Sequence, residues 1–353
     1  MANLILTICS NRKRPACSKI AAKDYDFNAE KITDSLPDDM RKKLTSARQQ
    51  AFRHITQPSH KEISSAGSTL NKGLKLGPDI DPDTQREGGF YMPALERYDG
   101  RFFGAFQKKI GNVSDFIHKR CEESNDHLLI ISGLYGVLTP AEPIQGYNCD
   151  IPDEREIRQL WKENNLLTEV IISYIKKFGI SRIFDFMADD SYRHLIGWEL
   201  IREEASCTIF YPRCVQQTGV DMLPEFGCAV AHLLDTQDSM NLSDVTFGTK
   251  VGGVTFTNNE PVWIPAGTTF SKREICVVWA IRMMANIDKF QQGREIPQWI
   301  KNAMDEIRKF RNDVVHEPHF DPTPRLDEVR ERYKQVVNWA KNEGCEELED
   351  VDY

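Results

Sequence analysis

The fold of this chain is most constrained by short apolar runs that alternate with helical patterns. Each run is rich in β-branched and aromatic residues and has the length of a buried strand. The clearest runs are LILTICS (4–10), HLLIIS (127–132), SRIFDFMA (181–188) and CTIFYP (207–212). Helices are predicted between them at 36–56, 94–122 and 153–178. This alternation predicts an α/β domain with a mainly parallel sheet.

Turn and cap residues set the expected limits of these elements. Gly179 fits the C-cap of the helix at 153–178, because glycine readily adopts the left-handed conformation that ends many helices. Asp189, Asp190 and Ser191 follow a strand and predict the N-terminal cap of a further helix. Residues 57–90 are rich in Ser, Gly, Pro and Asp and predict a long loop, which is usually mobile or functional.

A change in composition after about residue 237 predicts a domain boundary. Beyond it, residues 250–270 predict a β-hairpin with its turn near Asn258 and Asn259. Three helices are predicted after the hairpin, at about 271–291, 295–316 and 325–342. The expected parts are a mixed α/β domain (1–237), a smaller hairpin-plus-helical domain (238–345) and an acidic tail (346–353). A chain of 353 residues is long enough for two hydrophobic cores.

Charge is distributed unevenly along the chain. The formal net charge is −8, but residues 1–75 hold 14 Lys and Arg against 7 Asp and Glu. A basic first third predicts a phosphate-binding face even on an acidic protein. The alternative is a solvated helical face that binds nothing.

Cysteine usage and hydropathy restrict the protein class further. Nine cysteines lie scattered without a CxxC pair, which predicts reduced thiols rather than disulfides or structural zinc. Asp189, Asp190 and His194 are close in sequence, but helix capping explains the aspartates better than a metal does. No apolar run approaches the length of a membrane span, and the start of the chain lacks the order of a secretory signal. We therefore expect a cytoplasmic protein with no cofactor, no metal and no membrane contact.

The most specific stretch is HLLIISGLYGVLTPAEPIQGYNCDIPD (127–153). A buried strand ends at Ser132 and turns at two glycines, so the following polar side chains lie at the carboxyl edge of the sheet. Ligands of open α/β sheets bind at this edge. Small residues let a ligand approach the backbone, and polar side chains supply donors and acceptors. The motif therefore predicts a binding site.

This stretch resembles the YaaA family of peroxide-stress DNA-binding proteins, which carries a close version of SGLYGxLxPxxxIQxY. Residues 98–104 are similar to an aromatic–Asp–aromatic–Gly segment of that family, and Lys13 is a counterpart of a lysine in its first turn. The resemblance covers about residues 1–235. It implies a mixed α/β fold, DNA binding and a role under oxidative or other genotoxic stress.

The side chains of this region suit removal of a base from DNA. Carboxylates activate water or stabilise a cationic sugar when an N-glycosidic bond breaks, so the candidate catalytic residues are Asp99, Tyr147 and Asp150. Cations suit phosphates, tyrosines stack on bases and a glutamine reads a base edge. The candidate nucleic-acid-binding residues are accordingly Lys13, Arg14, Ser132, Tyr135 and Gln145, and Glu142 and Asp153 lie in the same region.

Structural explanations of the same residues stay open. Asp99 is also suited to the turn before Gly100, and Asp150 and Asp153 to a loop or helix cap. The tyrosines are also suited to packing at a strand end. Only the positions of these side chains in space separate the two interpretations.

A second candidate site lies in RKFRNDVVH (308–316), where Arg311 and His316 form an R-x4-H pattern. Residues 271–342 resemble the HEPN domain, a small helical bundle that often acts as a ribonuclease at a dimer interface. The resemblance implies a histidine acid or base and an arginine that holds the phosphate charge. The alternative is an exposed helix end whose cations complement the helix dipole.

Three functions follow from these patterns. The first is a DNA-acting, glycosylase-type hydrolase in stress response or antiviral defence. The second is an RNA-cutting toxin that uses Arg311 and His316, with a homodimer formed through the carboxy-terminal helices. The third is a DNA-binding stress protein without catalytic activity.

Overall fold

The computed structural model describes most of the chain. The described residues are 2–14, 30–58, 60, 70–82, 84, 90–117, 125–152, 154–214, 222–234, 241–258, 296–316 and 325–342. The chain divides into two compact units, Met1–Asn258 and Asn259–Tyr353.

The first unit is a mixed α/β structure built on a seven-stranded sheet. Its strands are β1 (Ala2–Ile8), β3 (Asp126–Ser132), β4 (Gly136–Leu138), β6 (Ile180–Asp185), β7 (Thr208–Cys214), β8 (Lys250–Val251) and β9 (Val254–Thr257). They are ordered β4-β3-β1-β6-β7-β9-β8. The four central strands, β3, β1, β6 and β7, run parallel, as the sequence predicted. Strand β1 is central and buried, with Leu4, Ile5 and Leu6 inaccessible to solvent.

Two further strands and a series of helices also lie in the described part of this unit. Strands β2 (Met92–Pro93) and β5 (Pro143–Ile144) form a separate antiparallel pair. The helices are α1 (Asp38–Ile55), α2 (Ala94–Arg97), α3 (Arg101–Ile110), α4 (Arg155–Lys162), α5 (Leu166–Phe178), α6 (Asp190–Arg193), α7 (Trp198–Ala205) and α8 (Leu223–Leu234). Helix α1 buries Leu44, Ala47, Ala51 and Ile55, which recur at the spacing of one helical face.

Helices α3 and α8 approach each other closely at Gly227. A side-chain carbon at that position would lie 2.1 Å from the carbonyl oxygen of Phe102. The contact therefore requires a glycine.

The helix predicted at 153–178 is two helices. Helix α4 ends at Lys162 and α5 begins at Leu166, because Asn164 (φ 52°) and Asn165 (φ 55°) adopt left-handed conformations between them. Asparagine tolerates this conformation better than most residues, so the break has a local cause. The predicted C-cap is confirmed, since Gly179 ends α5 with φ 62°.

The described part of the predicted hairpin, residues 250–258, belongs to the first unit. Strand β9 pairs with β7, so the sheet continues past the boundary expected at residue 237. Strands β8 and β9 join at Gly252-Gly253, where Gly252 has φ 60°. Glycine supplies the positive φ that a tight hairpin turn needs. The turn predicted near Asn258 and Asn259 would involve residues 259–270, which lie outside the described residues, so it stays a prediction.

The described part of the second unit contains two packed helices, α9 (Gln298–His316) and α10 (Leu326–Asn342). They bury an apolar seam that includes Ile307, Phe310 and Tyr333. Arg332 Nε lies 2.9 Å from Glu306 Oε2 and links the two helices. The helices predicted at 295–316 and 325–342 are confirmed, whereas the one at 271–291 lies outside the described residues.

No helix among the described residues is long and apolar enough to cross a bilayer.

Candidate functional site

Polar residues gather where the parallel strands β1 and β3 end. After β1 the chain continues along the edge of the sheet: the amide of Cys9 donates to the carbonyl of Ile131 at 2.8 Å. Further on, Lys13 pairs with Tyr98 in an isolated antiparallel bridge. The first turn of the chain and the segment around Tyr98 are thereby held beside the SGLYG motif.

Three hydroxyl groups form a buried chain at this edge. The Tyr147 hydroxyl lies 2.7 Å from Ser132 Oγ and 2.7 Å from the Tyr98 hydroxyl. All three side chains are buried. Burial holds the pKa of Tyr98 and of Tyr147 well above the ordinary value of 10.0, so both phenols stay protonated. Tyr147 is thus a proton-carrying hydroxyl joined to two others.

Lys13 brings an amine against this chain of hydroxyls. Its Nζ is enclosed by protein, lies 3.9 Å from the centre of the Tyr147 ring and has no hydrogen-bond partner among the described residues. Burial lowers the pKa of Lys13, although the nearby thiols of Cys9 and Cys149 and the Asp150 carboxyl oppose that shift. An enclosed amine without an acceptor is suited to receive an anion or to act as a neutral nucleophile.

A carboxylate and two thiols surround the same point. Asn11 Nδ2 donates to Asp150 Oδ2 at 2.5 Å, and Cys9 Sγ lies 3.3 Å from the Tyr192 hydroxyl. Burial raises the pKa of the Cys149 thiol well above 9.0, so this thiol is not a ready nucleophile. Gly133 is required here, because a side-chain carbon would lie 2.4 Å from the carbonyl oxygen of Cys149. We call Lys13, Ser132, Tyr147, Asp150 and Cys9 the Lys13 cluster.

Asp99 lies on the rim of the Lys13 cluster and is paired with cations. Its Oδ2 is 2.8 Å from Arg12 Nε and its Oδ1 is 4.0 Å from Arg14 Nε. The backbone amide of Asp99 also donates a hydrogen bond to the Arg12 carbonyl at 2.9 Å. Arg14 also donates to Gln107 Oε1. The arrangement holds the first turn in place, and Asp99 keeps 24% of its side chain exposed.

A second polar network adjoins the first and centres on Asp79. Its carboxylate accepts hydrogen bonds from the hydroxyls of Tyr135 (2.7 Å) and Tyr91 (3.0 Å) and from Gln145 Nε2 (3.1 Å). Gln145 is also bonded to the backbone of Lys75 at both ends of its amide. The Tyr135 ring packs edge-on against that of Tyr147, with centroids 5.4 Å apart.

The sequence-predicted residues thus fall into separate groups. Lys13, Ser132, Tyr147 and Asp150 come together, and Asp99 and Arg14 lie beside them. Tyr135 and Gln145 are buried among partners within the chain, which favours a structural role for both. Glu142 is buried in an ion pair with Arg48 and belongs to the core. Asp153 lies outside the described residues.

Other predicted positions are settled by local contacts. Asp189 Oδ1 accepts the amide of Ser191 at 2.7 Å and so caps the start of α6, as expected. Arg311 and His316 lie in α9, but their side chains are outside the described part, so the ribonuclease site stays a prediction.

Three contributors to this region were not among the candidate site residues predicted from the sequence: Tyr98, Asp79 and Tyr192. Tyr98 had a signal, since it belongs to the segment that resembles the YaaA family. Asp79 had none, because it lies in a stretch whose composition predicts only a loop.

The fold and the site define a class: a mixed α/β protein with a buried polar cluster at the carboxyl ends of parallel strands. Comparison with known families places it more closely. The model of the family "Peroxide stress protein YaaA" matches residues 15–210, and the chain belongs to that family.

Curated relatives agree with this assignment. Two UPF0246 proteins of Bacteroides fragilis are 30% and 29% identical to the chain over 148 residues, which is 38% of this chain and 54% of theirs. A UPF0246 protein of Porphyromonas gingivalis is 26% identical over 117 residues, 31% of this chain and 42% of its own length. The chain therefore spans about half the length of the curated relatives that it matches.

Proposed function

We propose that this protein acts on DNA in stress response and that the Lys13 cluster removes a base from a nucleotide turned out of the helix. One observation carries the proposal: the Lys13 amine is enclosed without a hydrogen-bond partner among the described residues, beside a carboxylate and a tyrosine. Burying a cation unpaired costs stability, so such a group is typical of a functional site.

Charge and family membership support DNA as the substrate. Arg12, Lys13 and Arg14 are consecutive at the cluster, and the first 75 residues carry an excess of cations that suits a phosphate backbone. The family name refers to peroxide stress, a condition under which bases are oxidised and must be removed. Enzymes that act on a base generally take it out of the stack.

The chemistry follows one of two balanced routes. In the first, the neutral Lys13 amine attacks C1′ of the deoxyribose, the C1′–N bond breaks and the base leaves with the bonding electrons and takes up a proton. Ring opening then gives an imine, and hydrolysis restores the amine. In the second, Asp150 removes a proton from a water molecule that attacks C1′, the C1′–N bond breaks, and the base leaves with the bonding electrons and takes up a proton, which leaves an abasic site.

Alkali treatment of DNA after incubation with the purified protein tests the proposal. The substrates are unmodified and peroxide-treated duplexes, and alkali-dependent breaks report abasic sites. We expect breaks in the peroxide-treated DNA and their loss in Lys13→Met and Tyr147→Phe. Lys108→Met, a change at an exposed lysine on α3, is the matched control and retains activity.

Borohydride separates the two routes. Covalent trapping of DNA by wild type, lost in Lys13→Arg, identifies amine attack, whereas breaks without trapping that are lost in Asp150→Asn identify the water route. Binding of DNA without breaks overturns base excision and leaves a DNA-binding stress protein. If the protein neither binds DNA nor produces breaks, the whole proposal is overturned.

A further inference from the structure

Two histidines and a glutamate from separate segments meet beside the start of α4. His54 lies in the last turn of α1, His60 follows that helix, and Glu154 immediately precedes α4. The Glu154 carboxylate lies between the two rings, with Oε2 3.3 Å from His54 Nε2 and Oε1 2.7 Å from His60 Nε2. The side chains are 23%, 8% and 12% exposed, so the group is largely withdrawn from solvent.

The orientation of His54 suits a metal ligand. Its other ring nitrogen, Nδ1, lies 2.9 Å from Glu156 Oε2. When Nδ1–H of the neutral ring donates to Glu156, Nε2 directs its lone pair towards Glu154, which is the tautomer that a metal ligand needs. A cation between Nε2 and the Glu154 carboxylate would then be bound by both. A carboxylate that fixes one nitrogen of a histidine while the other binds a metal is a recurrent arrangement in metalloproteins.

We propose that His54, His60 and Glu154 bind a first-row transition-metal ion, best Zn²⁺, and that Glu156 orients His54 from outside the coordination sphere. Two imidazoles and one carboxylate suit zinc, whereas magnesium and calcium prefer oxygen ligands alone. We call this group the His54–His60–Glu154 site.

The distances allow such a site once the side chains close around the ion. The three ligand atoms lie within 4.8 Å of one another. In a tetrahedral site with ligands at about 2.0–2.2 Å from zinc, the ligand atoms lie about 3.3–3.6 Å apart, so the widest pair must close by about 1 Å. Three protein ligands leave a fourth position for water or substrate, as in catalytic rather than closed structural zinc sites.

The His54–His60–Glu154 site is joined to the Lys13 cluster by one turn of chain. The amide of Glu154 donates to the carbonyl of Asp150 at 3.1 Å. Glu154 is also among the charges that raise the pKa of Cys149, which places it within electrostatic reach of that thiol. The metal proposal nevertheless stands without the base-excision proposal, because it rests on different side chains.

Metal titration of the full chain tests the proposal. The protein is stripped with a chelator, reduced and titrated with Zn²⁺ by calorimetry, and Co²⁺ is used to read the geometry and ligand type by absorption. We expect one Zn²⁺ per chain, a Co²⁺ spectrum of low coordination number and no intense thiolate-to-cobalt band. His54→Ala and His60→Ala abolish that binding, and Glu156→Gln weakens it by about 10-fold.

His194→Ala is the matched control, since His194 is exposed and distant in sequence from these residues. Glu154→Gln keeps the shape of the side chain. If its circular dichroism is unaltered, a loss of Zn²⁺ binding in this variant does not come from loss of the fold. Binding to thiols, binding unchanged in both histidine variants, or a preference for Mg²⁺ over Zn²⁺ overturns the assignment. None of these outcomes depends on whether the protein acts on DNA.

Discussion

Arg48 and Glu142 form a buried ion pair, with Arg48 Nη1 2.7 Å from Glu142 Oε1 and side chains 3% and 1% exposed. The guanidinium also donates to the carbonyls of Tyr135 (2.9 Å) and Val137 (2.7 Å). Glu142 in turn accepts the amides of Ile32 and Thr139. The pair therefore attaches helix α1 to the SGLYG motif.

Removing one partner of this pair leaves a buried charge unpaired. We expect Arg48→Met to lower the free energy of unfolding by about 3–5 kcal/mol. Arg41→Ala, which removes a surface pair with Asp38, should cost less than about 1 kcal/mol. Urea denaturation followed by circular dichroism measures both. Equal losses in the two variants would contradict the role given to the buried pair.

Asp79 should make stability depend on pH. Burial raises its pKa above the ordinary 3.8, so the native state holds this proton more tightly than the unfolded chain does. The stabilising contribution is therefore complete below pH 3.8 and is lost as the pH rises through the raised pKa. Asp79→Asn has no such proton, so the stability of wild type relative to this variant should fall as the pH rises from about 4 to about 7. If the stability of wild type relative to Asp79→Asn instead rises with pH, the raised pKa of Asp79 is contradicted.

The buried amine of Lys13 should lower the free energy of unfolding, which is expected of a group kept for function. Burial lowers its pKa below 10.5, so the native state binds this proton less readily than the unfolded chain. We expect Lys13→Met to raise the free energy of unfolding at neutral pH by about 0.5–2 kcal/mol. The gain should shrink as the pH approaches 10.5, because the unfolded lysine then loses its proton too. Thermal unfolding across this pH range tests both points, with Lys108→Met expected to change little.

Two glycine substitutions should have opposite effects. Gly179 has φ 62° at the end of α5, and Gly104 lies inside α3, with nothing within 4 Å of an added carbon at either position. Gly179→Ala should cost about 1–2 kcal/mol, because alanine is strained at positive φ. Gly104→Ala should add about 0.5–1 kcal/mol through helix propensity. Chemical denaturation distinguishes the signs, and a loss in both variants would contradict the conformational explanation.

Local pattern was enough to predict the parallel core of this protein. An apolar run predicted each of the strands β1, β3, β6 and β7. The position of Gly179 after a helical pattern predicted its role as a C-cap. The break between α4 and α5 at Asn164 and Asn165 was not predicted, because the amphipathic pattern continues through both residues.

The candidate site was predicted only in its sequence-local part. Ser132, Tyr135, Gln145 and Tyr147 lie within one motif, so their neighbourhood was readable. The contact of Tyr135 with Asp79 spans 56 residues, and that of Cys9 with Tyr192 spans 183. Such contacts depend on how loops fold back over the sheet, which no periodicity encodes.

The strand order of the sheet also bears on solubility during folding. Strand β7 has seven residues, and on its own it would offer a long row of unpaired amides and carbonyls to another chain. The β8–β9 hairpin covers it, and the sheet ends instead in β8, with two residues, and in β4, with three. Short edge strands are a recurrent protection against edge-to-edge aggregation. Truncation before residue 250 would therefore leave β7 as an unpaired edge strand that is prone to aggregation.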